Sequence, residues 1–279
     1  MINVVGIGKF GCELASDFEK LKNYDVYKID HDLEKSKRTR GVKKEKTPEK
    51  YEENCPGMSY FFKGISGRSL LIVPGGETIS AITLRVLEHM NNKKTTVLYV
   101  QPDFRNLNGP ARLHERVVFN VLQEYARSGM IAGLILANVG DIEKAIGDVP
   151  VIGYEETFRG YIVNSLNLIY YFEHSTPVLV SDSDKIDHSR IMTIGLVDFE
   201  SGEEKTFFPL DNIKERMYYY GINDNELRND NQLISKIRGQ IDSKRDADQR
   251  TSYRVYSTSY EEPHVFCIQS SLMIQKTLK

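Results

Sequence analysis

Short apolar runs punctuate the first half of the chain: Ile2-Asn3-Val4-Val5, Asp25-Val26-Tyr27-Lys28-Ile29, Ser69-Leu70-Leu71-Ile72-Val73, Thr95 to Val100 and Met130 to Ala137. They are short and mostly rich in Val, Ile and Leu, so they read as strands of a parallel sheet. Between them the period changes from two to that of a helix. Glu13 to Leu21 predicts a helix. Ala81, Leu84, Val86 and Leu87 predict the core face of another. Arg112 to Arg127 predicts a long amphipathic helix with Val117, Val118, Val121, Leu122 and Tyr125 inside. In Tyr154 to Phe172, the residues Phe158, Ile162, Leu166, Ile169 and Phe172 recur at helical spacing and predict a core helix. Alternating strands and helices predict the α/β class, with a doubly wound, mostly parallel sheet.

The pattern changes after the long helix. Ile191 to Phe199, Ser252 to Ser257 and His264 to Ser270 predict strands. Asn212 to Tyr220 and Gln232 to Ile241 predict helices, with hydrophilic connections around them. The expected organisation is an α/β domain over 1–153, a long central helix over 154–174 and a smaller α+β domain over 175–279.

Composition narrows the function. The chain has 279 residues, is 40% hydrophobic and carries a formal net charge of -2, which suits a globular protein and argues against a general nucleic-acid binder. No run is long and apolar enough to span a membrane, and no signal-peptide pattern opens the chain. Cys12, Cys55 and Cys267 form neither a disulfide framework nor a zinc set, which fits a reducing cytoplasm.

The candidate chemistry begins at the end of the first run. Gly6-Ile7-Gly8-Lys9-Phe10-Gly11-Cys12 has the spacing G-x-G-x-x-G, a strand-to-helix turn whose backbone amides face an anion. Asp30, at the end of the second run, suits either the ribose hydroxyls of NAD or the cap of the next turn. Glu34 to Asn54 is dense in charge and reads as a solvated loop, in part helical. Pro74-Gly75-Gly76-Glu77-Thr78-Ile79-Ser80 is a second glycine turn, with two hydroxyls at a helix start. Asn138 closes a central strand, where ligands sit in open α/β sheets. Tyr154-Glu155-Glu156 offers an aromatic face and two carboxylates, or simply a favourable helix start. Asp182, Asp184 and Asp187 invite a metal reading, but the EF-hand spacing is not met and no metal site is assigned.

Taken in order, these features resemble the tubulin/FtsZ family of polymerising GTPases. The resemblance covers about residues 1 to 200 and weakens along them. Gly6, Gly8 and Gly11 match the family's first phosphate loop, which also takes in Lys9 and Cys12. Asp30-His31-Asp32 sits where the family has an Asn-Thr-Asp turn. Gly75 to Ala81 sits at the signature G-G-G-T-G-T-G. Pro102 and Leu107-Asn108-Gly109-x-x-Arg112 resemble the ribose loop. Asn138 stands where the guanine-reading Asn stands, and Tyr154 with Glu155 or Glu156 where the base is stacked and read. Asp182-x-Asp184-Lys185-Ile186-Asp187 resembles the acidic loop that completes the neighbouring subunit's site.

The resemblance implies a GTP- or GDP-binding protein, with Mg2+ near the phosphates, that polymerises head to tail. Asp184 and Asp187 would then drive hydrolysis in the next subunit. The signature loop departs from the pattern, because Glu77, Ile79 and Ala81 replace glycines. A carboxylate about 4 Å from a phosphate costs roughly 1 to 4 kcal/mol. A tubulin-like scaffold with weak or no nucleotide binding is therefore the second reading. An NAD-dependent oxidoreductase, from the first glycine turn and Asp30, is the third. No FtsZ-like tail motif is present, which fits a divergent tubulin-like protein of the phage or plasmid kind.

Overall fold

The computed structural model describes residues 1–181 and 189–276. The chain forms two compact units, one built from Met1–Gly140 with the segment from Ile274, the other from Asp141–Met273.

In the first unit, β1 (Ile2–Ile7) leads directly into α1 (Gly8–Phe18), and β2 (Tyr24–Asp30) pairs parallel to β1. The charged stretch that follows is in part helical, as expected, and also adds a strand. It holds a short strand, β3 (Thr39–Gly41), and a one-and-a-half-turn helix, α2 (Pro48–Glu53), capped by the Thr47 side chain. Next come β4 (Ser69–Pro74), a 3-10 helix over Thr78–Ile82, and α3 (Thr83–Glu88). The helix expected after the second glycine turn is thus broken in two. Then follow β5 (Thr95–Gln101), a 3-10 turn at Phe104–Asn106, α4 (Gly109–Arg127) and β6 (Gly133–Asn138), while α5 (Val139–Ile146) spans the boundary after Gly140.

The sheet order is β3-β2-β1-β4-β5-β6 with every pairing parallel. The chain leaves β1 to one side through β2 and β3, then returns to the other side through β4. The crevice between the carboxyl ends of β1 and β4 is the topological switch point, where ligands bind in such sheets. Both glycine turns open there.

α4 corrects the sequence expectation. Its buried face is Glu115, Phe119, Leu122, Gln123 and Ala126. Val117 is exposed, and Val118, Val121 and Tyr125 are only half-buried. The helix is turned because two polar residues have partners inside. Glu115 meets Tyr99 and Gln101, while Gln123 accepts from Gln275 N and donates to its carbonyl. Buried polar groups with partners are tolerated, so hydrophobic periodicity placed Leu122 correctly but put Val117 inside and passed over Glu115 and Gln123.

After the rest of α5, the second unit continues with α6 (Tyr154–Glu173). Its strands are β7 (Leu179–Val180), β8 (Ile191–Val197), β9 (Glu204–Thr206) and β10 (Ile213–Asn223). Two helices, α7 (Asp224–Asn229) and α8 (Leu233–Ser243), precede β11 (Arg250–Thr258) and β12 (His264–Ser271). The sheet runs β8-β12-β10-β11-β7, with β9 pairing β8. Only β10 and β11 are parallel among these pairs.

The helix expected over Asn212 to Tyr220 is strand β10 instead. Tyr218, Tyr219 and Tyr220 are all buried and alternate across the sheet. Tyr218 and Tyr220 join Leu233, Ile237 and Ile241 of α8. Tyr219 and Tyr256 stack with Phe172 of α6, at centroid distances of 6.4 Å and 4.7 Å. Gly221 is required beside this stack, because a Cβ there would lie 2.6 Å from Phe172 Cζ.

Phe172 therefore fastens α6 to the second unit's sheet. Phe172→Ala should lower the unfolding free energy by about 3–5 kcal/mol, read by chemical denaturation. A loss below about 1 kcal/mol would show that the stack does not carry this packing.

Candidate functional site

The first glycine turn is built as its spacing demands. Gly8 takes φ +70°, a conformation that favours glycine. Gly6 packs against the backbone of Gly11 and lies close to Cys12, where a Cβ would come within 2.8 Å of the Cys12 nitrogen. A Cβ on Gly11 would lie 3.1 Å from the Ile72 carbonyl of β4. All three glycines are thus fixed by packing. α1 begins here with Ile7 at its cap position, no side-chain cap and no acid in its first turn. Its first amides need an acceptor.

Glu77 supplies that acceptor. Lys9 N donates to Glu77 Oε2 at 3.2 Å, and Phe10 N donates to Glu77 Oε1 at 3.3 Å. One carboxylate thus spans the two amides that a phosphate oxygen pair would take. Ile79 closes the same space, since a Cβ on Gly8 would meet Glu77 Oε2 and lie 2.9 Å from Ile79 Cγ2. Ile79 is itself buried. Burial pushes the Glu77 carboxyl above its usual range, the two amide bonds oppose that shift, and Asp30 and Glu13 add to it. As built, the Glu77 carboxylate occupies the Lys9 and Phe10 amides.

The second turn delivers Glu77 by tight packing. Gly75 N donates to the Val100 carbonyl at 2.8 Å, and a Cβ on Gly75 would sit 2.6 Å from Pro102 Cδ. Gly76 takes φ +78°. Glu77 stands at the cap position of its own 3-10 helix but does not cap it with its side chain. Its carbonyl accepts from Ser80 N at 3.0 Å and from His114 Nε2 at 3.3 Å. Thr78 is half-buried, while Ser80 is buried with its hydroxyl donating to the Pro74 carbonyl.

The remaining candidates have local partners. Cys12 is buried, its thiol donates to the Gly6 carbonyl, and burial pushes its pKa up to about 12. Asp30 Oδ1 accepts from His31 N at 2.7 Å. Asn108 caps α4 by accepting from Ala111 N at 3.0 Å. Arg112 Nε donates to the Phe104 carbonyl at 3.2 Å. Asn138 ends β6, donates through Nδ2 to Gln101 Oε1 at 3.3 Å, and accepts from Gly140 N at 3.0 Å. Gln101 in turn donates to Glu115 Oε1 at 2.9 Å. Tyr99 donates to that same oxygen at 3.1 Å, and burial pushes the Glu115 carboxyl upward. The sequence reading missed Glu115 and Gln101, because neither lies in a motif. The helix carries two acids, Glu115 and Glu124, and nothing in the sequence marks which of them is buried.

In the second unit, Tyr154 bonds its hydroxyl to the Glu143 carboxylate, and burial with that contact pushes its pKa up to about 12. Both side chains line a cavity of about 180 Å³ with Asp148 and Phe158. Glu155 and Glu156 are exposed, and Glu155 lies 3.7 Å from Arg159. Asp184 and Asp187 lie outside the described residues. Among the described residues, no helix is long and apolar enough to cross a membrane.

No protein-family model and no curated protein sequence matches the chain. Solved structures do. The chain is similar to an empty FtsZ dimer from M. jannaschii, with a TM-score of 0.67, 11% identity, and coverage of 97% of this chain and 88% of that one. It is similar to a GTPγS-form protofilament of TubZ from Bacillus thuringiensis serovar israelensis, with a TM-score of 0.68, 14% identity, and coverage of 96% and 86%. CetZ2 from Haloferax volcanii, a GTPγS-bound protofilament, gives a TM-score of 0.65, 10% identity, and coverage of 96% and 92%. Such identities speak for the fold alone. The chain has the tubulin/FtsZ-like fold.

Proposed function

We propose that the protein is a tubulin-like, self-assembling protein that builds head-to-tail filaments without nucleotide turnover. Glu77 takes the place of a nucleotide phosphate in the first glycine loop. One observation carries the reading: the Glu77 carboxylate bridges the Lys9 and Phe10 amides while Ile79 fills the space beside Gly8. The assembly half rests on the fold, whose solved examples include protofilaments of TubZ and CetZ2. An NAD-dependent oxidoreductase meets the same obstacle, since its pyrophosphate needs the same amides.

A second reading keeps the nucleotide. Burial disfavours the ionised Glu77 carboxylate, and its two amide bonds are at the long end of the normal range. A GTP triphosphate with Mg2+ would then displace it. Gly6 to Cys12, Gly75, Gly76, Thr78 and Ser80 would hold phosphates, Asn138 the guanine, and Asp184 and Asp187 of one subunit would serve the next.

Purified protein separates the two. The expected result is pelletable polymer in nucleotide-free buffer, no guanine nucleotide released on denaturation, and no GTP turnover. Stoichiometric copurifying GDP or GTP, with turnover rising steeply with protein concentration, sinks the nucleotide-free reading.

Opening the cradle should restore anion binding. The double variant Glu77→Gly, Ile79→Gly should bind GTPγS at least about tenfold more tightly than the parent, by calorimetry. Equal affinities in the two proteins would show that Glu77 and Ile79 do not obstruct the site.

The raised Glu77 pKa also sets a sign. The folded state holds the proton more tightly than the unfolded chain, so this stabilising contribution is full below the ordinary value of 4.5. It is lost as pH rises through the folded pKa. The melting temperature of the parent, measured against Glu77→Gln, should fall over that window. A difference profile that is flat or rises with pH contradicts the assignment.

A further inference from the structure

Charge is divided unequally between the two units. Met1–Gly140 with Ile274–Lys279 holds 23 Lys and Arg against 16 Asp and Glu, a formal net charge of +7. Asp141–Met273 holds 14 against 23, a formal net charge of -9. The chain's total of -2 hides this separation.

In the first unit the positive charge gathers at one edge of the sheet. Every pairing there is parallel, so the residues that follow the strands' carboxyl ends share that edge. Lys9 follows β1, Lys43, Lys44 and Lys46 follow β3, and Arg112 stands near the start of α4 after β5. All five are exposed. The acids of this edge are largely engaged. Glu77 lies on the Lys9 and Phe10 amides, Asp103 pairs with Arg105 at 2.7 Å, and Glu45 lies 3.8 Å from Lys43. Asp32 stands exposed among them. Lys44 and Lys46 form no ion pair among the described residues.

In the second unit the negative charge gathers at one end of its sheet. β8 and β10 end where β12 begins, with Val197 opposite Val265 and Gly221 opposite His264. β11 ends beside β10, with Thr258 opposite Asn223. The turns at that end carry Asp198, Glu200 and Glu203 after β8, Asp224 after β10, and Glu261 with Glu262 between β11 and β12, all exposed. Glu200 pairs with Lys236 and Asp224 with Arg228, each at 2.7 Å. Glu203, Glu261 and Glu262 form no ion pair among the described residues.

Each surface matches the other in sign and repels its own kind. Rim against rim, or acidic end against acidic end, sets like charges together and disfavours a two-fold dimer. Rim against acidic end is a contact between unlike surfaces, and such a contact builds an open chain unless its rotation closes a ring. We propose that the basic rim of one copy docks on the acidic sheet end of a second copy, and that this charge pairing sets the direction of assembly. The proposal rests on the self-assembly reading above and not on whether the cradle holds a nucleotide.

The test uses the full chain and sedimentation of polymer. Exposed charges are screened beyond about 10 Å at 0.1 M salt, so the critical concentration should rise at least about tenfold between about 50 mM and about 500 mM KCl. The triple variant Lys43→Glu, Lys44→Glu, Lys46→Glu should not pellet. Neither should Glu203→Lys, Glu261→Lys, Glu262→Lys. All six positions are exposed, so both variants keep the parent's circular dichroism and melting temperature. Mixed in equal amounts, the two variants should pellet together in equal proportion, because each reversed surface then meets its reversed partner.

The outcomes separate the two readings. A parent that forms no polymer at any salt sinks the self-assembly reading, and this inference with it. A parent that assembles equally at both salts, or variants that each assemble alone, leaves assembly standing and overturns the charge pairing. Variants that fail alone and fail when mixed overturn the pairing of these two surfaces. A rim variant that assembles like the parent but loses binding to a random-sequence DNA duplex also overturns it, and makes the rim a polyanion surface.

Discussion

A helix that starts without a cap must find an acceptor somewhere. α1 starts on Ile7, with its first amides at the crevice between β1 and β4 and no acid in its first turn. In an open α/β sheet that position invites an anion. Here the anion is covalently part of the chain, brought from Glu77 by the next strand-to-helix turn. The arrangement joins the two glycine turns across the switch point.

A second buried chain of polar groups runs through the same unit. The Glu115 carboxylate accepts from Gln101, so the Gln101 carboxamide turns its oxygen toward Asn138, which answers with its own Nδ2. The Asn138 oxygen is then left to the Gly140 amide. Each amide is oriented by the one before it, because a donor must face an acceptor. Glu115 is fully buried and one of its oxygens, Oε2, has no hydrogen-bond partner. Such a group is costly, and the bonds that Tyr99 and Gln101 give its other oxygen offset that cost and hold Glu115 inside, which leaves Val117 facing outward.

What the sequence makes legible follows from where local pattern and tertiary context agree. β1, β4, β5, β6 and α6 are readable because a buried strand or a core helix is apolar for one reason only. The face of α4 is not readable, because Glu115 and Gln123 are inside for the sake of Tyr99, Gln101 and Gln275, residues distant in sequence. β10 is misread because Asn212 to Met217 is charged and helix-compatible. The three tyrosines that follow decide for a strand only once α6 and α8 cover both faces. At the site, the spacing of Gly6, Gly8 and Gly11 gives the turn. The departure at Glu77 and Ile79 can be seen in the sequence, but its consequence cannot. A carboxylate near a glycine loop reads as repulsion until the fold brings it onto the Lys9 and Phe10 amides.

The two glycine loops also differ in what holds them. In the first, each glycine is demanded by backbone packing, against Gly11, against β4, or by a positive φ. No ligand is needed to explain them, and replacing one would disturb the β1–α1 junction itself. In the second, Gly75 and Gly76 are held by Pro102, Tyr99 and Leu107, and from Glu77 onward side chains stand at Glu77, Ile79 and Ala81. A tubulin-like chain relieved of nucleotide binding is therefore expected to keep the first loop and change the second from Glu77 onward. That asymmetry runs along this sequence. It makes a preserved G-x-G-x-x-G poor testimony for a bound nucleotide, and it makes the neighbouring turn the better witness.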